Sequence, residues 1–161
     1  RSIIDRFSRD IIDCFERGNK ILIIGNGGSA AEAQHLSSEL VGHFERDRKE
    51  FPAIALTTDT SIITAVGNDD GYIDVFSRQI EALGKEGDIL FVLSTSGKSK
   101  NCIRAEIEAY GKGMEIRHFP IKTDKQTTAS MQEKHLKIIH EVCRKIDNYY
   151  SPEINVDGNR L

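Results

Sequence analysis

Lys20-Ile21-Leu22-Ile23-Ile24-Gly25-Asn26-Gly27-Gly28-Ser29 decides the fold. Its first half is a short apolar run without alternation, the pattern of a central parallel strand covered on both faces. Its second half is a glycine turn, and Ser29 with Glu32 forms an S-x-x-E capping box ahead of a helix from about Ala30 to Phe44. Upstream, Ile3, Ile4, Phe7, Ile11, Ile12 and Phe15 recur at helical spacing, and Gly18-Asn19 stops that helix. Downstream the same unit repeats. A strand over Ala53 to Leu56 leads into a polar loop and a short helical turn around Ile62 to Val66. Asn68-Asp69-Asp70-Gly71 breaks the chain, Val75 to Leu83 is helical, and Asp88 to Leu93 is a third buried strand. Ser94-Thr95-Ser96-Gly97-Lys98-Ser99 follows, then a helix from about Asn101 to Tyr110. Strand, polar turn and helix in alternation specify an α/β fold, a doubly wound parallel sheet with right-handed crossovers.

Two regions depart from this rhythm. The helical pattern is already under way at Arg1, so a further N-terminal segment is expected before it. Met114 to Ile116 is too short for a full strand and Arg117 to Thr128 is polar and irregular, so a strand and its loop near 113–122 are expected to be missing from the chain. A long helix returns from Ala129 to Asp147, with Met131, Ile138, Ile139, Val142 and Ile146 apolar; the tail from Asn148 carries no pattern.

The 161 residues are the size of one domain. A net charge of -3 with acidic and basic residues interspersed gives no broad basic field for nucleic acid, so an anion would be held locally. No apolar run has the length of a membrane span and no signal segment opens the chain. Cys14, Cys102 and Cys143 are odd in number, far apart and outside any metal-type pair, as expected of reduced thiols in a cytoplasmic protein.

In such sheets ligands bind beyond the carboxyl ends of the strands, where both polar loops lie. Gly25 to Ser29 stands at a helix start, whose unpaired N–H groups and dipole favour a phosphate or a sugar hydroxyl; a tight turn with glycine for geometry alone is the plainer alternative. It is neither a G-x-G-x-x-G turn nor a P-loop. The second loop places four hydroxyls and a glycine in six residues, enough to encircle a phosphate without arginine, against the alternative of a solvated serine-rich turn. His35 and Glu39 share a helix face and could serve a substrate or a metal together, or be a solvated pair. On the last helix Gln132, His135 and His140 are candidates, with packed histidine the competing reading.

GNGGSAAEAQHLSSEL, ALTTDTSIITAVGNDDGY, VFSRQIEALG, LSTSGKSKN and MQEKHLKIIH together resemble the phosphoheptose isomerases, also called sedoheptulose 7-phosphate isomerases, of the SIS sugar-isomerase superfamily. The resemblance runs from about Lys20 to Asp147. It implies a single flavodoxin-like three-layer SIS domain, assembled as a homotetramer with active sites between subunits. It also implies conversion of D-sedoheptulose 7-phosphate into D-glycero-D-manno-heptose 7-phosphate, for bacterial lipopolysaccharide or capsule synthesis. Through the matching motifs it assigns the phosphate to Ser94, Thr95, Ser96 and Ser99. The sugar site falls to Asn26, Gly27, Gly28, Ser29, Glu39, Asn68, Asp69 and Gln132. Glu39 matches the catalytic base and His140 the acid; His35, Glu39, Gln132 and His140 match a zinc site found in some members.

Gln132 and His140 are eight residues apart, roughly 12 Å along a straight helix, so one ion meets both only at their midpoint or between subunits. The arginine common before the I-Q-E motif is Ser130 here. Two competing functions remain. One is a non-enzymatic SIS tetramer that binds a protein partner, whose relatives lack the matching glutamate and final histidine. The other is an SIS isomerase for a different sugar phosphate, whose motifs match less well.

Overall fold

Ile21–Ile24 (β1) has neighbours on both sides. In the computed structural model, which describes residues 2–151, it pairs in parallel with Ala53–Ala55 (β2) and with Ile89–Val92 (β3). All four β1 side chains are fully buried, each burial contributing roughly 1.5–3 kcal/mol. Because successive residues face opposite sides, Ile21 and Ile23 enter one core and Leu22 and Ile24 the other. Against the first core pack Ile3–Glu16 (α1), Gly28–Val41 (α2) and Thr128–Tyr150 (α6). The second core includes residues of Ser77–Leu83 (α4) and Lys100–Gly111 (α5), with Ile63 and Val66 of Thr60–Asp69 (α3) packed on it. The result is a three-layer α/β/α sandwich.

A fourth strand, Glu115–His118 (β4), pairs in parallel with β3 and completes the order β2-β1-β3-β4. This corrects the expectation that no strand forms there: β4 is a sheet edge and carries the polar, half-exposed sequence of an edge. The order places the topological switch between β1 and β3, so their two loops face each other beyond the strand ends.

The capping box does not form. Gly27 adopts φ 57, which turns the chain into α2 two residues early and makes Gly27 itself the N-cap. Ser29 is thereby buried inside the helix, and Glu32 faces inward with one carboxylate oxygen buried and unbonded. The last helix is also longer than the pattern suggested, running three residues past Asp147.

Candidate active site

Helices α2 and α6 lie side by side and run the same way. Gly28 opens α2 against the Gln132 side chain, and seven residues on, His35 meets His140 with their Nε2 atoms 3.0 Å apart. Glu39 follows one turn after His35, and one ligand atom from each of His35, Glu39 and His140 can be chosen so that all three lie within 4.8 Å of one another. All three side chains are half-buried, and the Phe44 ring stacks on His140 at 5.0 Å. Among the described residues this is the group of His, Cys, Asp and Glu side chains able to hold a metal.

The donor set suits zinc. Two imidazole nitrogens on one tetrahedral zinc stand roughly 3.3 Å apart, from bonds of about 2.0 Å, close to the spacing found here, and the carboxylate supplies an oxygen. Without a cation, one ring must donate its Nε2–H to the other ring's lone pair, so the contact admits a proton or a cation. Gln132 has its amide at the Gly28 end of the seam.

At the switch point Asn26 is braced by three hydrogen bonds with two residues. It exchanges two 2.9 Å hydrogen bonds with the buried Asn101 amide, and its Oδ1 also accepts from the Tyr72 hydroxyl at 2.9 Å. Asn101 and Tyr72 are site residues the sequence reading missed. Their bonds to Asn26 join residues 75 and 46 positions apart, which no local pattern signals. Gly27 and Gly28 are exposed beside this brace, while Ser29 is buried. Asn68 and Asp69, at the end of α3, face solvent and are hydrogen-bonded to each other at 3.0 Å.

Opposite lies the hydroxyl loop. Ser94 Oγ accepts the Gly97 N–H and Ser96 Oγ accepts the Lys98 N–H, both at 3.1 Å, and Gly97 at φ 69 closes the turn. Thr95 and Ser99 are half-buried, and Ser99 is the N-cap of α5 with its hydroxyl free of any capping bond. The loop therefore gathers hydroxyls just ahead of a helix start, an arrangement suited to an anion. Lys122 N–H donates to Thr95 O at 2.8 Å, which lays the segment after β4 alongside this loop.

His135 is a core residue. It has no exposed surface, sits against Phe119, and its Nε2 contacts Pro120 O at 2.6 Å; burial lowers its pKa. Burial acts the other way on Glu32, raising its carboxyl from the usual 4.5 to about 7.

A family model described as "SIS domain" matches residues 1–117. A probable phosphoheptose isomerase of Thermoplasma volcanium is 42% identical over 161 aligned positions, covering 91% of this chain and 82% of its own. The phosphoheptose isomerase of Geotalea daltonii is 48% identical, covering 83% and 77%. The chain belongs to the phosphoheptose isomerase family of SIS-domain proteins. Solved phosphoheptose isomerase structures carry the same fold. That of Francisella tularensis superimposes with a TM-score of 0.84 at 39% identity, and that of Neisseria gonorrhoeae with 0.81 at 38%, each covering 90% of this chain and 85% of the other. Phosphoheptose isomerases are sugar-phosphate isomerases. Among the described residues no helix is long and apolar enough to cross a membrane.

Proposed function

We propose that the protein interconverts D-sedoheptulose 7-phosphate and D-glycero-D-manno-heptose 7-phosphate through an enediol. The observation that carries this reading is the convergence of His35, Glu39 and His140 on one seam. Isomerisation requires a base for a carbon-bound proton and a second group that moves protons between oxygens. Glu39 takes the proton from C1 of the open-chain ketose and returns it to C2. His140 delivers a proton to O2 and accepts one from O1, and the Phe44 stack keeps its ring in place. Ser94, Thr95, Ser96 and Ser99 bind the phosphate at the start of α5. Gly27, Gly28, Ser29, Asn68, Asp69 and Gln132 line the sugar path, with Asn26 holding the first loop in shape through Asn101 and Tyr72.

His35, Glu39 and His140 would hold a zinc ion, with Gln132 joining only where the seam or a neighbouring subunit brings it near. Bound there, zinc supplies Lewis-acid polarisation of a substrate oxygen. A coordinated carboxylate is a weaker base than a free one, so the two roles of Glu39 compete. The working assembly is a cytoplasmic homotetramer with sites between subunits, and the product feeds nucleotide-heptose synthesis for lipopolysaccharide or capsule.

The test is isomerisation of sedoheptulose 7-phosphate by the purified protein, with and without zinc after chelation. Turnover establishes the reaction, and its zinc dependence decides between the two roles of Glu39. No turnover by a folded, zinc-loaded sample refutes the reading and returns the choice to another sugar phosphate or a binding role.

A further inference from the structure

At the far end of the same seam lies a fully buried ion pair: Arg48 Nε donates to Asp147 Oδ1 at 2.9 Å, and neither side chain has exposed surface. Each charge is held by further hydrogen bonds. Asp147 Oδ2 accepts the N–H groups of Glu45 at 2.6 Å and Arg46 at 2.9 Å. Arg48 Nη2 donates to Glu39 O at 2.5 Å, and Nη1 to the carbonyls of Leu40, Gly42 and Lys49 at 3.0–3.1 Å. The guanidinium also sits over the Phe51 ring at 5.2 Å. Its charge thus meets the carbonyl end of α2, where the helix dipole favours a cation.

A buried ion pair is a poor stabiliser compared with apolar packing of the same volume, because desolvation offsets most of the attraction. What it supplies is geometry, and here each partner leads to one half of the acid–base pair. Arg48 is bonded to the backbone of Glu39 itself. Asp147 lies two turns beyond His140 on α6, and through Glu45 and Arg46 it anchors the segment that seats Phe44 on the His140 ring. We infer that Arg48 and Asp147 are positioning residues that fix the end of α2 against α6 and so set the placement of Glu39 and His140. This rests on the roles proposed above for those two residues.

The test uses Asp147→Asn and Arg48→Lys in the whole chain. Asn weakens the acceptor, and lysine's single ammonium cannot reach the carboxylate and the helix carbonyls together. Asp88→Asn is the comparator. Asp88 is also buried and ion-paired, with Lys20 at 2.6 Å, but its other hydrogen bonds come from Asn19 and Lys85 rather than from α2 or α6. Two readouts are taken: kcat and KM for sedoheptulose 7-phosphate, and the NMR position of the His140 ring protons, which feel the Phe44 ring current. Either seam variant is expected to lower kcat roughly 10- to 100-fold with KM within about threefold, the scale of an ångström of misplacement. Either should also move the His140 resonance, while Asp88→Asn lowers Tm and leaves both readouts in place. A kcat loss that merely tracks Tm across all three variants overturns the inference, as does an unmoved His140 resonance in the seam variants. If one seam variant fails to fold, the other decides. If the wild type does not isomerise the substrate, the proposed reaction fails, and the His140 resonance alone decides the positioning role.

Discussion

Gly28→Ala separates what the seam does for the fold from what it does for the site. A Cβ on Gly28 would lie 2.6 Å from Gln132 Nε2, 2.8 Å from Oε1 and 2.9 Å from Cδ, all closer than atoms tolerate. The obstacle is the end of a flexible side chain, so Gln132 swings away and the backbone stays. Gly28 opens α2 without a positive φ, so alanine is tolerated there and gains up to about 0.5 kcal/mol of helix propensity. Thermal stability is therefore expected to be unchanged or slightly raised. If Gln132 hydrogen-bonds the sugar, losing that bond costs about 0.5–1.5 kcal/mol, which is roughly a 2- to 12-fold rise in KM at near-constant kcat. Steady-state kinetics beside a melting curve measures both. In a Gln132→Ala background the Gly28 substitution should add nothing further, since the group it displaces is gone. A wild-type KM in Gly28→Ala, or an equal rise in both backgrounds, would refute the placement of Gln132 in the sugar site.

Glu39→Gln keeps the shape of the side chain and removes its basicity; turnover should fall by about 10²–10⁴-fold while calorimetry still detects substrate binding. Near-normal turnover would remove Glu39 from the mechanism. Ser96→Ala should act mainly on affinity, raising KM, because it takes a hydroxyl from the phosphate loop along with the acceptor of the Lys98 N–H; unchanged affinity counts against that loop. Glu32→Gln should change how stability responds to pH. Burial raises the Glu32 carboxyl from 4.5 to about 7, so between those values the folded state holds a proton that the unfolded chain has released, and stability falls as pH rises. Glutamine removes that slope, and denaturation midpoints that fall equally in both proteins between pH 5 and 7 would show that Glu32 is not its source.

The two strand–loop–helix units were legible because each is local: a continuous apolar run, a glycine- or hydroxyl-rich turn, then a helical period, all within about 25 residues. His35 and Glu39 were legible as a pair for the same reason, since helical spacing alone puts them on one face. Where the reading failed, a backbone conformation or a non-local pairing decided. Glu32 has the spacing of a capping residue, but the positive φ of Gly27 starts the helix early and sends Glu32 into the seam, a choice of backbone that glycine permits and sequence does not announce. Glu115-Ile116-Arg117-His118 looks too short and polar for a strand because it is an edge, paired on one side only and held by β3 rather than by its own burial.

Arg48 and Asp147 are the clearest case of what a sequence withholds. Glu45 to Glu50 is a charge run of the kind that normally faces water, and Asp147 stands where the apolar helical pattern of the sequence gives out. Yet both side chains are wholly buried, and they find each other across 99 positions. Charge pattern cannot distinguish a solvated arginine from a buried one, because the difference lies in whether the guanidinium nitrogens find acceptors, and those acceptors come from separate segments. In this chain they are supplied by the end of α2, the loop after it and α6, the elements that carry Glu39, Phe44 and His140. The residues that do chemistry can be read from local spacing; those that hold them in place become visible only when the chain has closed on itself.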